Sequence, residues 1–153
     1  LGLLDDDARA VAGIVALDIG EKTIGVAVSD PLGIIATPVG AVRRGQSIAD
    51  DIAALRRLLE RYEISCFVIG WPLKRDGTES ETMPIVRGFE RRLAKEFPAV
   101  PIEHENELLS TRTARERISH APKGRADKES GRLDAAAAAV ILESYLARRE
   151  KPR

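Results

Sequence analysis

The order of apolar runs and amphipathic stretches predicts an α/β fold: a five-stranded mixed sheet, its first three strands antiparallel, flanked by helices. Three observations carry this reading. Two β-branched runs, Ile14–Ile19 and Ile24–Ser29, are joined only by the turn Gly20-Glu21-Lys22-Thr23, which makes them an antiparallel hairpin. Cys66–Ile69 is a continuous apolar run, the pattern of a central strand buried on both faces. Helical periods alternate with the later strands, giving the order β-β-β-α-β-α-β-α-α, and such an order folds as a mixed sheet with helices packed on it.

Each element has a local cause. After the hairpin, Gly33–Val42 reads as a third strand, and its Pro38 favours a sheet edge because proline cannot donate to a ladder. Ser47 opens a helix with Asp50 three residues on, a pairing like a capping box. Ile48, Ile52, Leu55, Leu59 and Tyr62 follow at helical spacing. Trp71-Pro72 ends the central strand, and Lys74-Arg75-Asp76-Gly77 forms a polar loop. A second helix starts near Pro84, tolerated in a first turn, and runs to Glu96 with Val86, Phe89 and Leu93 as its buried stripe. Ile102–Asn106 is a weaker strand, charged on one side through Glu103 and Glu105, and so placed near an edge. Leu109–Ile118 reads as a helix capped by Ser110 or Thr111, and His120–Arg132 as a mobile loop. Leu133–Arg149, with five consecutive alanines, is a strong final helix.

The bulk numbers agree with one domain. The chain has 153 residues, 44% of them hydrophobic. A domain of this length buries roughly 70% of its unfolded surface. The expected organisation is an acidic flexible tail over residues 1–12 (Asp5, Asp6, Asp7), one domain over 13–148 and a basic tail over 149–153. Lys plus Arg and Asp plus Glu both number 24. This neutral balance offers no global pull on nucleic acid, though a local basic surface can exist within it. The single Cys66 excludes an internal disulfide framework and any multi-cysteine zinc site, and its apolar neighbours mark it as a small hydrophobe. No apolar run approaches ~20 residues, so no membrane span is expected. The acidic N-terminus is unlike a signal peptide, and a cytoplasmic location is the default.

Two carboxylates stand where apolar residues belong. Asp18 ends an apolar strand on the face that carries Ala16 and Ile14. An isolated buried carboxylate is costly unless compensated; the bland alternative is an Asp turning into the hairpin and accepting from backbone N–H groups. Asp134 lies on one helical stripe with Ala137, Ala138, Ile141 and Tyr145. The helix dipole explains an acid in the first turns, worth ~0.3–1 kcal/mol, but not its place on the apolar stripe. The alanines let this helix sit close to the sheet, near the strand ends. Glu107 follows a short strand and precedes a helix cap, a place where most glutamates are simply solvated. A metal site at the strand ends needs a third ligand, and Glu107 is the nearest acid that the topology supplies.

Phosphodiester hydrolysis gives such a cluster a use. Charge must be neutralised on the attacked phosphate and on the entering and leaving oxygens, which two divalent ions ~3.5–4 Å apart can do. Mg²⁺ and Mn²⁺ take oxygen ligands and keep waters, so a few carboxylates suffice. His104 and His120 share no zinc-binding spacing and read as surface or structural residues.

Four blocks, "VALDIGEKTIGVAVSD" (Val15–Asp30), "VIGWPLKRDGTES" (Val68–Ser80), "ENELLSTRT" (Glu105–Thr113) and "LDAAAAAVILESYL" (Leu133–Leu146), resemble the YqgF family, also called RuvX, of Holliday-junction resolvases or pre-16S rRNA nucleases. The resemblance runs from about Gly13 to Leu146 and implies an RNase H-like fold. It also implies that Asp18, Glu107 and Asp134 are the catalytic, metal-holding acids, with Mg²⁺ or Mn²⁺ (two ions) as cofactor. The chain departs from the family in places: Asn106 and Leu108 replace an acid and a base that usually flank the glutamate, and Trp71 stands where Leu is common.

Lys22, Lys74, Arg75 and Arg112 adjoin these blocks and are the candidate phosphate contacts, each with a solvated surface charge as the plain alternative. Lys123, Arg125, Lys128 and Arg132 add cations in the expected loop. Six aromatics in the whole chain argue against a base-stacking platform, and so for recognition of backbone shape. The leading function is therefore a metal-dependent nuclease on structured nucleic acid. Trimming of pre-16S rRNA ends is favoured, by a monomer or homodimer; cleavage of four-way DNA junctions is the alternative, and requires a symmetric dimer. A catalytically silent nucleic-acid-binding module is a reading of another class. A strand ending in Asp-x-Gly also begins actin-like ATPases and sugar kinases, but these need a second lobe and far more chain.

Overall fold

The computed structural model describes residues 10–106 and 126–150. Within them the chain runs β1 (Ala10–Ile19), β2 (Thr23–Ser29), β3 (Ala36–Arg43), α1 (Ile48–Leu59), β4 (Tyr62–Trp71), α2 (Met83–Glu96), β5 (Ile102–Asn106) and α3 (Ala126–Glu150). The strands form a five-stranded sheet in the order β3-β2-β1-β4-β5. The β1–β2 and β2–β3 pairs are antiparallel; β1–β4 and β4–β5 are parallel. The sheet is thus mixed, its first three strands antiparallel, and the strands carrying Pro38 and the Glu103/Glu105 pair lie at its two edges.

Strand alternation divides the core into two layers. Val15, Leu17 and Ile19 of β1 join Ile24, Val26, Phe67 and Ile69 on the face covered by α1 and α2. Ile14 and Ala16, with Ala27 and Val68, face Ala138, Ile141, Leu142 and Tyr145 of α3. The α3 side is built from small residues, so this helix lies close on the sheet. Asp18, two residues after Ala16, belongs to the α3 face.

Several element limits differ from those expected, the third strand running Ala36–Arg43 rather than Gly33–Val42, and at three of them tertiary packing overrides local pattern. Tyr62 continues the helical spacing of α1, yet α1 ends at Leu59 and Tyr62 opens β4. The parallel ladder with β1 recruits it, since Tyr62 pairs with Ala10 and Ile64 with Gly13. The same ladder draws Ala10–Ala12 of the expected tail into β1. A register irregularity falls at Gly13, whose φ of 81° only glycine adopts readily. Past the irregularity the Ile14 amide donates to Ser29 Oγ at 3.0 Å. The final helix begins at Ala126, so part of the expected loop, Gly131 included, is helical. An interior glycine costs about 1 kcal/mol, which docking of the helix against β2 and β3 outweighs. The helix expected over Leu109–Ile118 lies outside the described residues.

Cys66 is half-buried, and burial first, then the neighbouring Glu103 carboxylate, pushes its thiol up to about 11. It is therefore a poor nucleophile at neutral pH. Among the described residues no helix is long and apolar enough to cross a membrane.

Candidate active site at the C-terminal end of the sheet

β1 and β4 run parallel, so their C-terminal ends and the loops that follow meet at one end of the sheet. Asp18 is the penultimate residue of β1, half-buried, and stands opposite Gly25 in the antiparallel register with β2. Residues directly opposite in such a pair project to the same face, with Cα atoms roughly 4.5–5.5 Å apart. What covers that face at Gly25 is Asp134 itself. A Cβ built on Gly25 would lie 2.0 Å from the Asp134 carbonyl oxygen and 2.4 Å from its carbonyl carbon. The α3 backbone at Asp134 therefore rests on the one position of β2 that is in register with Asp18. Two acids 116 positions apart in the numbering share one face through the intervening glycine.

A side-chain bond orients the second acid. Thr23, two residues before Gly25 on the same face, donates its hydroxyl to Asp134 Oδ2 at 2.5 Å. Asp134 is half-buried, one turn before the fully packed stretch Ala137–Leu142. Beyond β1 on its other side, β4 offers Gly70, one step past the Leu17–Ile69 pair. The Asp18 carboxylate thus has glycine on β2 and a second glycine at the corresponding end of β4.

The hairpin turn beside Thr23 is braced from below. Arg44 Nε binds Asp51 Oδ2 at 2.9 Å, Arg44 Nη1 donates to the Gly20 carbonyl at 3.1 Å, and the Gly45 amide donates to Asp51 Oδ1 at 2.7 Å. The Arg44 amide donates to the Lys22 carbonyl at 2.8 Å. Asp51 is only 2% exposed. A buried carboxylate needs this set of partners, and removing one would strand the other. The result is a stiff turn that carries Lys22 and Thr23. Sequence reasoning singled out neither Arg44 nor Asp51, so the brace is a finding of the structure alone.

The cations expected to meet phosphate divide into described and undescribed. Lys22 is exposed in the Gly20–Thr23 turn; Lys74 and Arg75 are exposed in the loop after β4. That loop is held by Lys74 N–H to Thr78 O at 2.7 Å, by Gly77 N–H to Lys74 O at 2.9 Å and by the Asp76 carboxylate, which accepts from both the Thr78 amide and hydroxyl. The Thr78 bonds hold the Asp76 carboxyl below its usual range. Glu107 and Arg112 lie outside the described residues, as do Lys123 and Arg125 and the side chain of Lys128. Glu107 directly follows β5, two positions after Glu105. Among the described residues, no three His, Cys, Asp or Glu side chains gather into a metal-holding group.

Arg43 is a cation that sequence reasoning missed. It is exposed and stands in register opposite Thr23, so it shares the face that carries Asp134. Its only local signal was its place at the end of an edge strand. Lys22, Arg43 and Thr23 also border a cleft of about 650 Å³ floored by Ile48, Pro84 and Ile85.

β5 is an edge strand, as its sequence suggests, and its charged side is engaged by α3. Glu105 is buried, accepting from Ser144 Oγ at 2.7 Å and Arg148 Nε at 2.9 Å. Glu103 accepts from the Tyr145 hydroxyl, and burial followed by that bond pushes the phenol up to about 12. Both carboxylates fasten α3 to the edge strand. His104 stacks on Trp71 with ring centroids 3.7 Å apart and pairs with Glu90, which fits the structural role expected of it.

Known proteins share both the sequence pattern and the fold. A family model described as RuvX, Holliday junction resolvase, matches residues 12–148. A protein of Chlorobium chlorochromatii named "Putative pre-16S rRNA nuclease" is 40% identical over 134 residues, covering 87% of this chain and 93% of its own length. A protein of the same name from Salinibacter ruber is 37% identical over 151 residues, covering 97% and 99%. Among solved structures, T. thermophilus RuvC in complex with a Holliday junction substrate superposes with a TM-score of 0.52 at 16% identity, covering 90% of this chain and 95% of that one. The last is a likeness of fold.

Proposed function

This chain belongs to the RuvX Holliday junction resolvase family, and from that premise we propose that it is a metal-dependent nuclease that trims the ends of precursor 16S rRNA in the cytoplasm. The observation that carries the site is the seating of the Asp134 backbone on Gly25, in register with Asp18. It brings two acids remote in sequence to one sheet face at the end where the β1 and β4 loops gather. Glu107, directly after β5, is the proposed third acid.

The donor set fits a hard divalent cation. Carboxylate oxygens suit Mg²⁺ or Mn²⁺, and no thiolate or imidazole is proposed as a ligand. Asp18, Asp134 and Glu107 would hold the metal, two ions in the proposed form, which supplies neutralisation of the phosphate and a water of lowered pKa. The chain's own contribution is positional. Thr23 and the α3 backbone hold Asp134 in place, and the Arg44–Asp51 brace stiffens the turn that carries Lys22. Lys22, Arg43, Lys74 and Arg75, with Arg112, meet the sugar–phosphate backbone.

The deciding assay offers the purified protein a precursor 16S rRNA fragment and a four-way DNA junction side by side, with Mg²⁺, Mn²⁺ or EDTA. Cleavage of the RNA with either metal and none with EDTA is the expected outcome. Symmetric nicking of the junction by a dimer, with the RNA left intact, would favour the resolvase reading that the family description offers. Binding of either substrate without cleavage under any metal would point to a silent binding module, for which the change to Asn106 at the end of β5 leaves room.

The cationic surface makes its own prediction. Arg43→Ala and Lys22→Ala should each weaken metal-free binding of the substrate a few-fold. Each should also lower the slope of log K against log salt by about 1, as expected for one lost phosphate contact. Fluorescence anisotropy across a salt series in EDTA measures this; an unchanged slope for Arg43→Ala removes that residue from the interface.

A further inference from the structure

We infer that Thr23 is a positioning residue for the metal site, fixing the rotation of the Asp134 carboxylate for the cation. This rests on the metal-site reading above and adds to it a residue outside the acids and the phosphate-binding cations.

The hydroxyl of Thr23 donates to Asp134 Oδ2 at 2.5 Å across 111 positions of sequence. An ordinary surface threonine would be satisfied by water. This one is half-buried at the first position of β2, on the α3 face, two residues before the glycine on which the Asp134 backbone rests. The main chain of Asp134 is thus located by Gly25 and its side chain by Thr23, both from one strand, and that strand is in register with Asp18. The turn leading into Thr23 is itself stiffened, since Gly20 N–H donates to Thr23 O at 2.9 Å and Arg44 grips the Gly20 carbonyl.

The chemical consequence follows from the geometry. With Oδ2 accepting from the hydroxyl, Oδ1 of Asp134 is the oxygen assigned to the cation. Without that donor the carboxylate can rotate, and ordering it falls on the metal. Outer partners that orient a ligand typically change metal affinity by ~10–100-fold when removed. A hydroxyl is the requirement, so serine should serve and valine, matched in shape, should not.

The test measures Mn²⁺ binding directly by calorimetry or by electron paramagnetic resonance of free Mn²⁺, beside the Mn²⁺ concentration that gives half-maximal cleavage. Thr23→Val should weaken binding ~10–100-fold and shift the cleavage curve by the same factor, with saturating Mn²⁺ recovering much of the rate. Thr23→Ser should stay within about threefold of the parent. A purely structural role for Thr23 would lower the melting temperature of Thr23→Val and leave Mn²⁺ affinity alone. Parental Mn²⁺ affinity in a folded Thr23→Val protein, checked by circular dichroism, overturns the inference while leaving the metal site standing. Failure of the parent itself to bind Mn²⁺ overturns both.

Discussion

Asp18→Asn and Asp134→Asn each reduce metal-dependent cleavage by at least about a thousandfold, with substrate binding in EDTA retained. A thousandfold is about 4 kcal/mol of transition-state stabilisation, the size expected when a charged ligand that places the reacting groups is replaced by a neutral amide of the same shape. Both substitutions leave the volume of the side chain nearly unchanged, so the fold should survive. In Asp134→Asn the Thr23 hydroxyl can still donate, now to the oxygen of the new side-chain amide. Single-turnover cleavage at saturating Mn²⁺, together with anisotropy in EDTA, separates chemistry from binding. Residual cleavage within tenfold of the parent in either variant would remove that acid from the site. Glu107→Gln belongs in the same series and should show the same loss.

Gly25→Ala is the second large effect, and it needs no charge to act. The added methyl carbon would lie 2.0 Å from the Asp134 carbonyl oxygen, a backbone atom in a helix, which cannot swing aside as a flexible side-chain tip can. Either α3 lifts from the sheet or β2 bends away. Overpacking of this kind costs about 1–3 kcal/mol, lowering the melting temperature by roughly 2–12 °C. The larger consequence falls on activity. Displacing α3 moves Asp134 from its place beside Asp18, and a misplacement of about 1 Å can cost a hundredfold in rate. A folded Gly25→Ala protein that cleaves like the parent would show that α3 does not need this seat to place its acid. Gly88→Ala is the control. It lies off the buried stripe of α2, where a Cβ meets only the tip of Arg91 at 3.9 Å.

Much of this architecture was legible along the chain. The hairpin, the buried run ending at Gly70-Trp71 and the amphipathic stripes of α1 and α2 follow from short-range pattern, because the periods of strand and helix are local. Asp18 and Asp134 stood out for the same reason: each breaks an otherwise apolar stripe. What pattern could not show was any pairing between distant segments. Tyr62 fits a helical stripe as well as it fits a strand, and only the ladder with Ala10 decides for the strand. Glu105 reads only as an edge charge until Ser144 and Arg148 of α3 are seen to hold it. Arg44, Asp51 and Arg43 are ordinary as letters; their meaning lies in what the turn and the neighbouring strand bring beside them.

The amino-acid sequence by itself determined the class of fold, the face on which each of Asp18 and Asp134 lies and the family to which the chain belongs, since these rest on residue type and periodicity. The tertiary structure alone decided that Gly25 is the seat of Asp134, that Thr23 grips its carboxylate and that Arg43 shares the same face. Those facts depend on the register between β1, β2 and β3 and on how closely α3 approaches the sheet. Register and approach are set by the summed packing of Ala16, Ala27, Ala138 and their neighbours, a property of contacts between segments that no single stretch of chain contains.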